Sequence, residues 1–500
     1  MIFSLLWDNE KEVSILDATL FNDLKITKLL ESCFDNYSDV DEMIDIMKLV
    51  PNKKSIIYRQ GIFEDILSDH NNLYENLYYQ LVDLVSRYNN LKEKSENVKK
   101  RVFLIMYLYH YYLFLENTKS LLVNQNVKSY ALNLLIDKIN ILLSNKEVIA
   151  KREKINKYYN YIINNSSFSA EYHDGAPFIK LSFDKAINLE DELLEIAEGL
   201  NVSLIKTPRQ IMKKEINPYF LYHISLNDKK AYEEIALFYD SFYNDITDLS
   251  NLVLEFKYLL NLKTVFLKMA KLNIPFCKVL INDTNETEIK NAYDISLTVS
   301  KIDIVPNDYY ANDKENIAFV LGVNSGGKTC YLRSVASNYV FFSTSGYMFA
   351  ESAKVYPVKH IFTHFPNEEN YGFGEGRLYD ELKRMDKIKK CFSEDTICFL
   401  NEKFSSTSEE KACVYTKQLL DDIGNSKAKV MYVTHQYKIF EEISDPRIGF
   451  FTPVVLEKAE NVRTHKIKKV EKQLLSYVDD ILYKHGLTKQ QLLERKNKNG

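Results

Sequence analysis

The run Phe319-Val320-Leu321-Gly322-Val323-Asn324-Ser325-Gly326-Gly327-Lys328-Thr329 constrains the fold of this chain more than any other segment. It has the G-x-x-x-x-G-K-[ST] spacing, with apolar residues before it and a helix-like run after it. That order predicts a strand, a phosphate-gripping turn and a helix in direct succession. Chemistry explains the spacing. Glycines let successive backbone N–H groups turn inward around phosphate oxygens, Lys328 brings a cation to the outer phosphates, and the Thr329 hydroxyl can ligate Mg²⁺. The competing reading, a glycine-rich turn with no ligand, is disfavoured by the strand before the turn and the helix after it. Gly322, Val323, Asn324, Ser325, Gly326, Gly327, Lys328 and Thr329 are therefore the candidate nucleotide-binding residues, with ATP and Mg²⁺ the expected cofactors.

About seventy residues on, roughly the gap to a later strand of the same sheet, Thr396-Ile397-Cys398-Phe399-Leu400 forms an apolar run ending in Asn401-Glu402. This is a Walker B position with one change. The first residue there is normally Asp, which holds Mg²⁺ through its water shell, and the second is often Glu, a candidate base for the attacking water. Asn401 can still hydrogen-bond a metal-bound water but brings no negative charge, so slow hydrolysis is expected. A third apolar run, Val430-Met431-Tyr432-Val433, ends in Thr434-His435, where a strand's carboxyl end would set a polar side chain beside the nucleotide. Glu402 and His435 are the candidate catalytic residues, although His435 taken alone would read as a structural histidine.

In order and in intervening text, these segments resemble the MutS family of DNA mismatch-repair ATPases. Val305-Pro306-Asn307-Asp308 precedes the nucleotide strand, and Gly322 to Thr329 stands at the family's double-glycine P-loop. Gly346-Tyr347-Met348-Phe349-Ala350-Glu351-Ser352-Ala353 resembles the segment after the P-loop helix, with Phe349 where a proline is usual. Tyr371-Gly372-Phe373-Gly374-Glu375-Gly376-Arg377 resembles the signature that reaches the partner subunit's nucleotide, and Gly374, Gly376 and Arg377 are its candidate residues. Glu375 stands where the family has a serine. Asn401-Glu402 with Ser405 to Ser408 resembles the Walker B strand and the loop after it, and Thr434-His435 the switch histidine that senses the γ-phosphate. The resemblance covers roughly residues 300 to 450. It implies an ABC-like α/β P-loop ATPase domain preceded by a mostly helical core and lever domain, a homodimer joined through its ATPase domains, and DNA as partner. No convincing Phe-x-Glu wedge domain is found, so the chain is expected to be a lever-plus-ATPase relative lacking the mismatch-recognition domain.

At 500 residues the chain exceeds what one hydrophobic core usually supports. The apolar start Met1 to Trp7 lacks a basic leader and meets Asp8 too early for a secretory segment, and no apolar run is long enough for a membrane span. The six cysteines lie scattered without C-x-x-C spacing, which argues for reduced thiols and a cytoplasmic setting. The net charge of −4 gives no support to DNA binding. Residues 461–500 carry ten Lys or Arg against four acidic residues, which suits either a phosphate-contacting tail or a solvated face.

Before residue 300 the pattern is mostly helical. From Tyr232 to Met269 apolar residues recur at three and four spacing through Ile235, Phe238, Phe242, Ile246, Leu249, Val253, Phe256 and Leu260. That predicts one helix of roughly 50 Å, suited to a lever or to a bundle. Phe178 to Phe183 and Val202 to Ile205 read as short strands of a small insert. The expected division is a helical region over 1–285 with an insert near 168–206, an ATPase domain over 286–460, and a basic helical tail over 461–500. Two functions fit. One is a Mg²⁺-dependent ATPase coupling nucleotide state to DNA binding; the other is a nucleotide-gated protein scaffold with very slow hydrolysis and no specific DNA role.

Overall fold

The computed structural model describes residues 3–8, 13–93, 97–164, 167–173, 176–182, 233, 237, 248–322, 326–365, 386, 388–402, 408–424, 426–435, 442–456 and 462–470. The chain divides into two compact units, Met1–Leu5 with Ser68–Lys257, and Leu6–Leu67 with Tyr258–Gly500. No described helix is long and apolar enough to cross a membrane.

The first unit is helical. Helices α1 (Leu73–Glu93), α2 (Asn97–Asn124), α3 (Tyr130–Ser144) and α4 (Lys146–Asn164) are followed by a hairpin of β1 (Ser167–His173) and β2 (Ala176–Ser182). The aromatic run of α2 faces inward: Tyr107 is buried with Leu104, Ile105 and Leu108 in a cluster closed by Ile139 and Ile155. Tyr109 of α2 stacks on Tyr159 of α4, with ring centroids 3.6 Å apart. These aromatics therefore serve packing.

The helix expected over 232–269 is observed as α5 (Ser250–Lys271); most of residues 232–247 lie outside the described set. The unit boundary falls within α5, after Lys257. Beyond it the stripe turns to Tyr258, Leu259, Leu262, Val265, Phe266 and Met269, all buried, while Leu254 and Leu267 are exposed.

The second unit holds two larger sheets. One pairs Leu280–Ile281 with β6 (Ser352–Val355), β3 (Thr287–Ala292) and β4 (Asn307–Ala311), in that order across the sheet. The other has six strands in the order β7 (His360–His364), β8 (Thr396–Asn401), β9 (Lys429–Val433), β5 (Ile317–Val320), β10 (Ile448–Leu456) and β11 (Val462–Val470). The first five are parallel; β11 closes the edge antiparallel to β10. Strands β5, β8 and β9 are buried at every residue, as continuous apolar runs of a parallel sheet covered on both faces should be.

Two findings differ from the expected division. Residues 462–470 form strand β11 rather than the start of a helical tail, because alternate residues pair with β10 through Phe450↔Val470 and Thr452↔Lys468. Residues 471–500 lie outside the described set. Residues 6–67, expected in the helical region, cluster with the sheets. The reason is packing: the helix Lys53–Leu67 buries Ile56, Ile62, Phe63 and Ile66, and Phe63 meets the rings of Phe266 and Tyr347 at 5.1 and 5.5 Å.

Candidate nucleotide site

Strand β5 runs at its carboxyl end into Gly322, and the chain re-enters helix as α6 (Lys328–Ser345), with Gly327 as N-cap. Both glycines adopt backbone angles that L side chains avoid, φ 134° at Gly322 and φ 92° at Gly327. A Cβ on Gly322 would stand 2.7 Å from Cδ of Pro453, so glycine is required there for space as well. Val323, Asn324 and Ser325 lie outside the described residues. The start of an α-helix, with its first amides directed outward and the positive end of its dipole, suits an anion, and α6 begins at this turn.

Lys328 is buried, and its Nζ donates to the Gly322 carbonyl at 2.7 Å, closing the loop on itself. Burial pulls its ammonium below the usual lysine range, and the nearby Glu402 carboxylate partly offsets that. The Thr329 hydroxyl donates to Oδ1 of Asn401 at 3.1 Å. This bond joins two positions 72 residues apart, the end of the glycine turn and the end of β8. Glu402 follows Asn401 with φ 48°, in the left-handed region, while its N–H donates to the Val433 carbonyl at 2.8 Å. Such a conformation costs a non-glycine residue about 1–3 kcal/mol. It turns the Glu402 side chain toward His435, whose Nδ1 lies 3.9 Å from Oε1. Thr434, buried beside it, donates its N–H to the Val320 carbonyl, which ties β9 to β5 at the site.

The structure thus brings together Gly322, Gly326, Gly327, Lys328, Thr329, Asn401, Glu402 and His435 at the carboxyl ends of three parallel strands. Gly374, Gly376 and Arg377 lie outside the described residues. One residue escapes a reading by motif. His465 of β11 presents Nδ1 and Cβ 3.4 Å from where a Cβ on Gly327 would be. No spacing signals it, since it arrives only through the antiparallel return of the chain.

The geometry defines a mixed α/β domain carrying a phosphate-loop motif at the head of its sheet. MutS domain V matches residues 318–476, which contain the whole of that head. Similar chains are the DNA mismatch repair protein MutS of Carboxydothermus hydrogenoformans, 26% identical over 209 residues that cover 41% of this chain and 25% of that protein. Another is MutS of Leptospira interrogans, 26% identical over 188 residues, 36% of this chain and 22% of that protein. A third is the DNA mismatch repair protein MSH3 of Candida glabrata, 26% identical over 243 residues, 47% of this chain and 23% of that protein. Over these stretches the chain is similar to proteins of the MutS family. Its matched stretch spans about a quarter of the length of these relatives.

Proposed function

We propose that this chain binds ATP with Mg²⁺ at the head of the six-stranded sheet, hydrolyses it slowly, and couples nucleotide state to a grip on DNA. The observation that carries the reading is the bond from Thr329 to Asn401, which brings the two side chains proposed to face the metal within 3.1 Å of each other. The residues fit the group they would hold: two glycines in left-handed conformations at the turn into α6, a buried lysine, a hydroxyl and an amide oxygen. Bound Mg²⁺ would supply charge neutralisation at the phosphates. In this reading Gly322 to Thr329 hold the phosphates, Lys328 exchanges the Gly322 carbonyl for a phosphate oxygen, and Thr329 and Asn401 face the metal and its water. Glu402 polarises the attacking water, and His435, beside it, senses the outer phosphate.

The sheet order, with β9 between the glycine-loop strand and β8, supports an ABC-like ATPase domain. We read residues 286–460 as its main part, residues 1–285 as the helical core and lever region with its insert, and residues 461–500 as a basic extension. Gly374, Gly376 and Arg377 are proposed to act in trans in a homodimer, and a cytoplasmic location is proposed with them. The names of the relatives support DNA mismatch repair or a related handling of DNA structure. The neutral Asn401 favours the second reading, a nucleotide-gated scaffold with very slow turnover. ATPase rates without DNA and with plain, mismatched and branched duplexes separate the two. Stimulation by DNA is expected; tight ATP binding with flat turnover would replace the first reading by the second.

A further inference from the structure

We infer that Asn307 is a positioning residue for Gly327 and the start of α6, acting through His465. The inference rests on the nucleotide-binding reading only for its affinity measurement. Asn307 is buried at the start of β4, at the edge where the four-stranded sheet meets β11. Its side chain spans that seam with every polar group in use. Nδ2 donates to the carbonyls of Val305 and His465 at 3.1 and 3.2 Å, and Oδ1 accepts from the Ile467 N–H at 2.7 Å. The two outer bonds bracket a single distorted stretch of strand. At the first of them His465 itself holds φ 55°, a left-handed conformation that β-structure does not supply by itself. Other bonds complete the kink: Thr464 Oγ1 donates to the Val454 carbonyl at 2.6 Å, and Lys466 Nζ donates to the Pro306 carbonyl.

The kink has a direction. It delivers the His465 ring against Gly327, the N-cap of α6, where an added Cβ would lie 3.4 Å from Nδ1. The neighbouring residue ties back to the same helix, because Tyr331 of α6 donates its hydroxyl to the Asp308 carbonyl at 2.7 Å. Residues 306–308 therefore hold the kinked strand with one end and the first turn of α6 with the other. An amide is the side chain this seam needs, since it must donate to a carbonyl and accept from an N–H at once. Without it, His465 would relax toward ordinary strand geometry and its ring would leave Gly327.

The test uses the full-length chain, with Asn307→Ala, the near-isosteric Asn307→Asp, His465→Ala and the double variant Asn307→Ala/His465→Ala. Fluorescent ATP titration should show affinity reduced about tenfold in Asn307→Ala, the scale of the two hydrogen bonds lost to the kinked strand. Asn307→Asp, which keeps the acceptor but loses the donors, should move in the same direction should the alanine variant fold poorly. The double variant should bind no more weakly than His465→Ala alone, because the effect of Asn307 passes through that ring. Losses that multiply would overturn the inference. The second readout is the imidazole NMR signal of His465, assigned by its disappearance in His465→Ala. It should shift in both Asn307 variants, and an unmoved signal would sink the proposal. Should the wild type bind no ATP, the functional reading fails, and the His465 signal still decides the role of Asn307.

Discussion

At the scale of single residues, the site turns on an amide where a carboxylate would bring charge. Asn401 Oδ1 already accepts from Thr329, so Asn401→Asp keeps that bond and adds a negative charge at the same atom. Hard cations prefer charged oxygen, and the position is buried. Half-maximal activity should then need several-fold less Mg²⁺ than in the wild type. Superimposed magnesium titrations would mean that Asn401 does not face the metal. Glu402→Gln, with the side chain kept in shape, should leave ATP affinity intact and lower turnover about 100-fold or more, read in single-turnover assays. A second buried cation gives a pH prediction away from the site. Lys429, at the start of β9, is wholly buried, donates to Asn285 Oδ1 and lies 4.9 Å from the Tyr356 ring centroid. Burial lowers its pKa to about 8 from 10.5, with Asp313 and Asp395 opposing. The unfolded chain therefore binds the proton more tightly, so this residue's destabilisation is full below pH 8 and fades as pH rises toward 10.5. Lys429→Met should be more stable than wild type at pH 7 by about 1–2 kcal/mol, allowing for the lost bond to Asn285. In urea melts that advantage should shrink by pH 9.5; a constant difference would contradict the assignment.

At the scale of elements, α6 is the piece whose burial could not be read from its composition. Lys328–Ser345 alternates apolar residues with Ser334, Ser337, Asn338, Ser343, Thr344 and Ser345, a mixture that suggests one wet face, yet all of these are buried. The hydroxyls escape the cost of burial by bonding back to carbonyls of the same helix, as Ser337 does to Arg333 and Ser345 to Phe341, at 2.8 and 2.7 Å. Asn338 reaches across to the Phe349 N–H at 2.6 Å. The glycine turn before the helix and the apolar runs of β5, β8 and β9 were legible because period and spacing are local properties. Strand β11 was not, since its lysines read as a basic tail and only the partner strand reveals the pairing. The far end of α6 offers a direct test. Gly346 closes the helix at φ 77°, and a Cβ there would fall 2.4 Å from Cβ of Gln60, whose amide donates to the Gly346 and Val279 carbonyls at 2.7 and 2.9 Å. Backbone strain and overlap act together, so Gly346→Ala should lower unfolding free energy by about 2–4 kcal/mol in urea melts. A loss below about 0.5 kcal/mol would mean that the close approach of Gln60 is not maintained in solution.

At the scale of the whole molecule, the unexpected feature is that the sheet-bearing unit is built from two distant parts of the chain. Residues 6–67 read as helical and group by pattern with the helices that follow them; nothing local in that stretch names its partner. Its ties to the rest of the unit run through buried side chains. Arg59, wholly buried, gathers its own stretch by donating to the Leu6 carbonyl at 2.9 Å with its guanidinium 4.3 Å from the Trp7 ring centroid, and reaches toward the Ser343 carbonyl near the end of α6 at 3.5 Å. Thr363 at the end of β7 donates to Asp23 at 2.7 Å. Phe63, with no exposed surface, packs edge-on to Phe266, which in turn stacks on Phe349 at 4.4 Å. Phe349 stands where relatives of this type were expected to carry proline, and its ring fills the space between α5 and α6. A fragment of residues 286–500, the ATPase region as a reader of motifs would cut it, would therefore expose the surfaces that Phe63, Ile62 and Ile66 cover. Such a fragment should be insoluble or lack a cooperative melt, and coexpression with residues 1–285 should restore ATP binding. The full-length variant Phe63→Ala tests the same packing without cutting the chain, and should lose about 3–5 kcal/mol by the cavity it leaves. A fragment of 286–500 that melts cooperatively and binds ATP as the intact chain does would show that residues 6–67 only cover the sheet unit and do not help to form it.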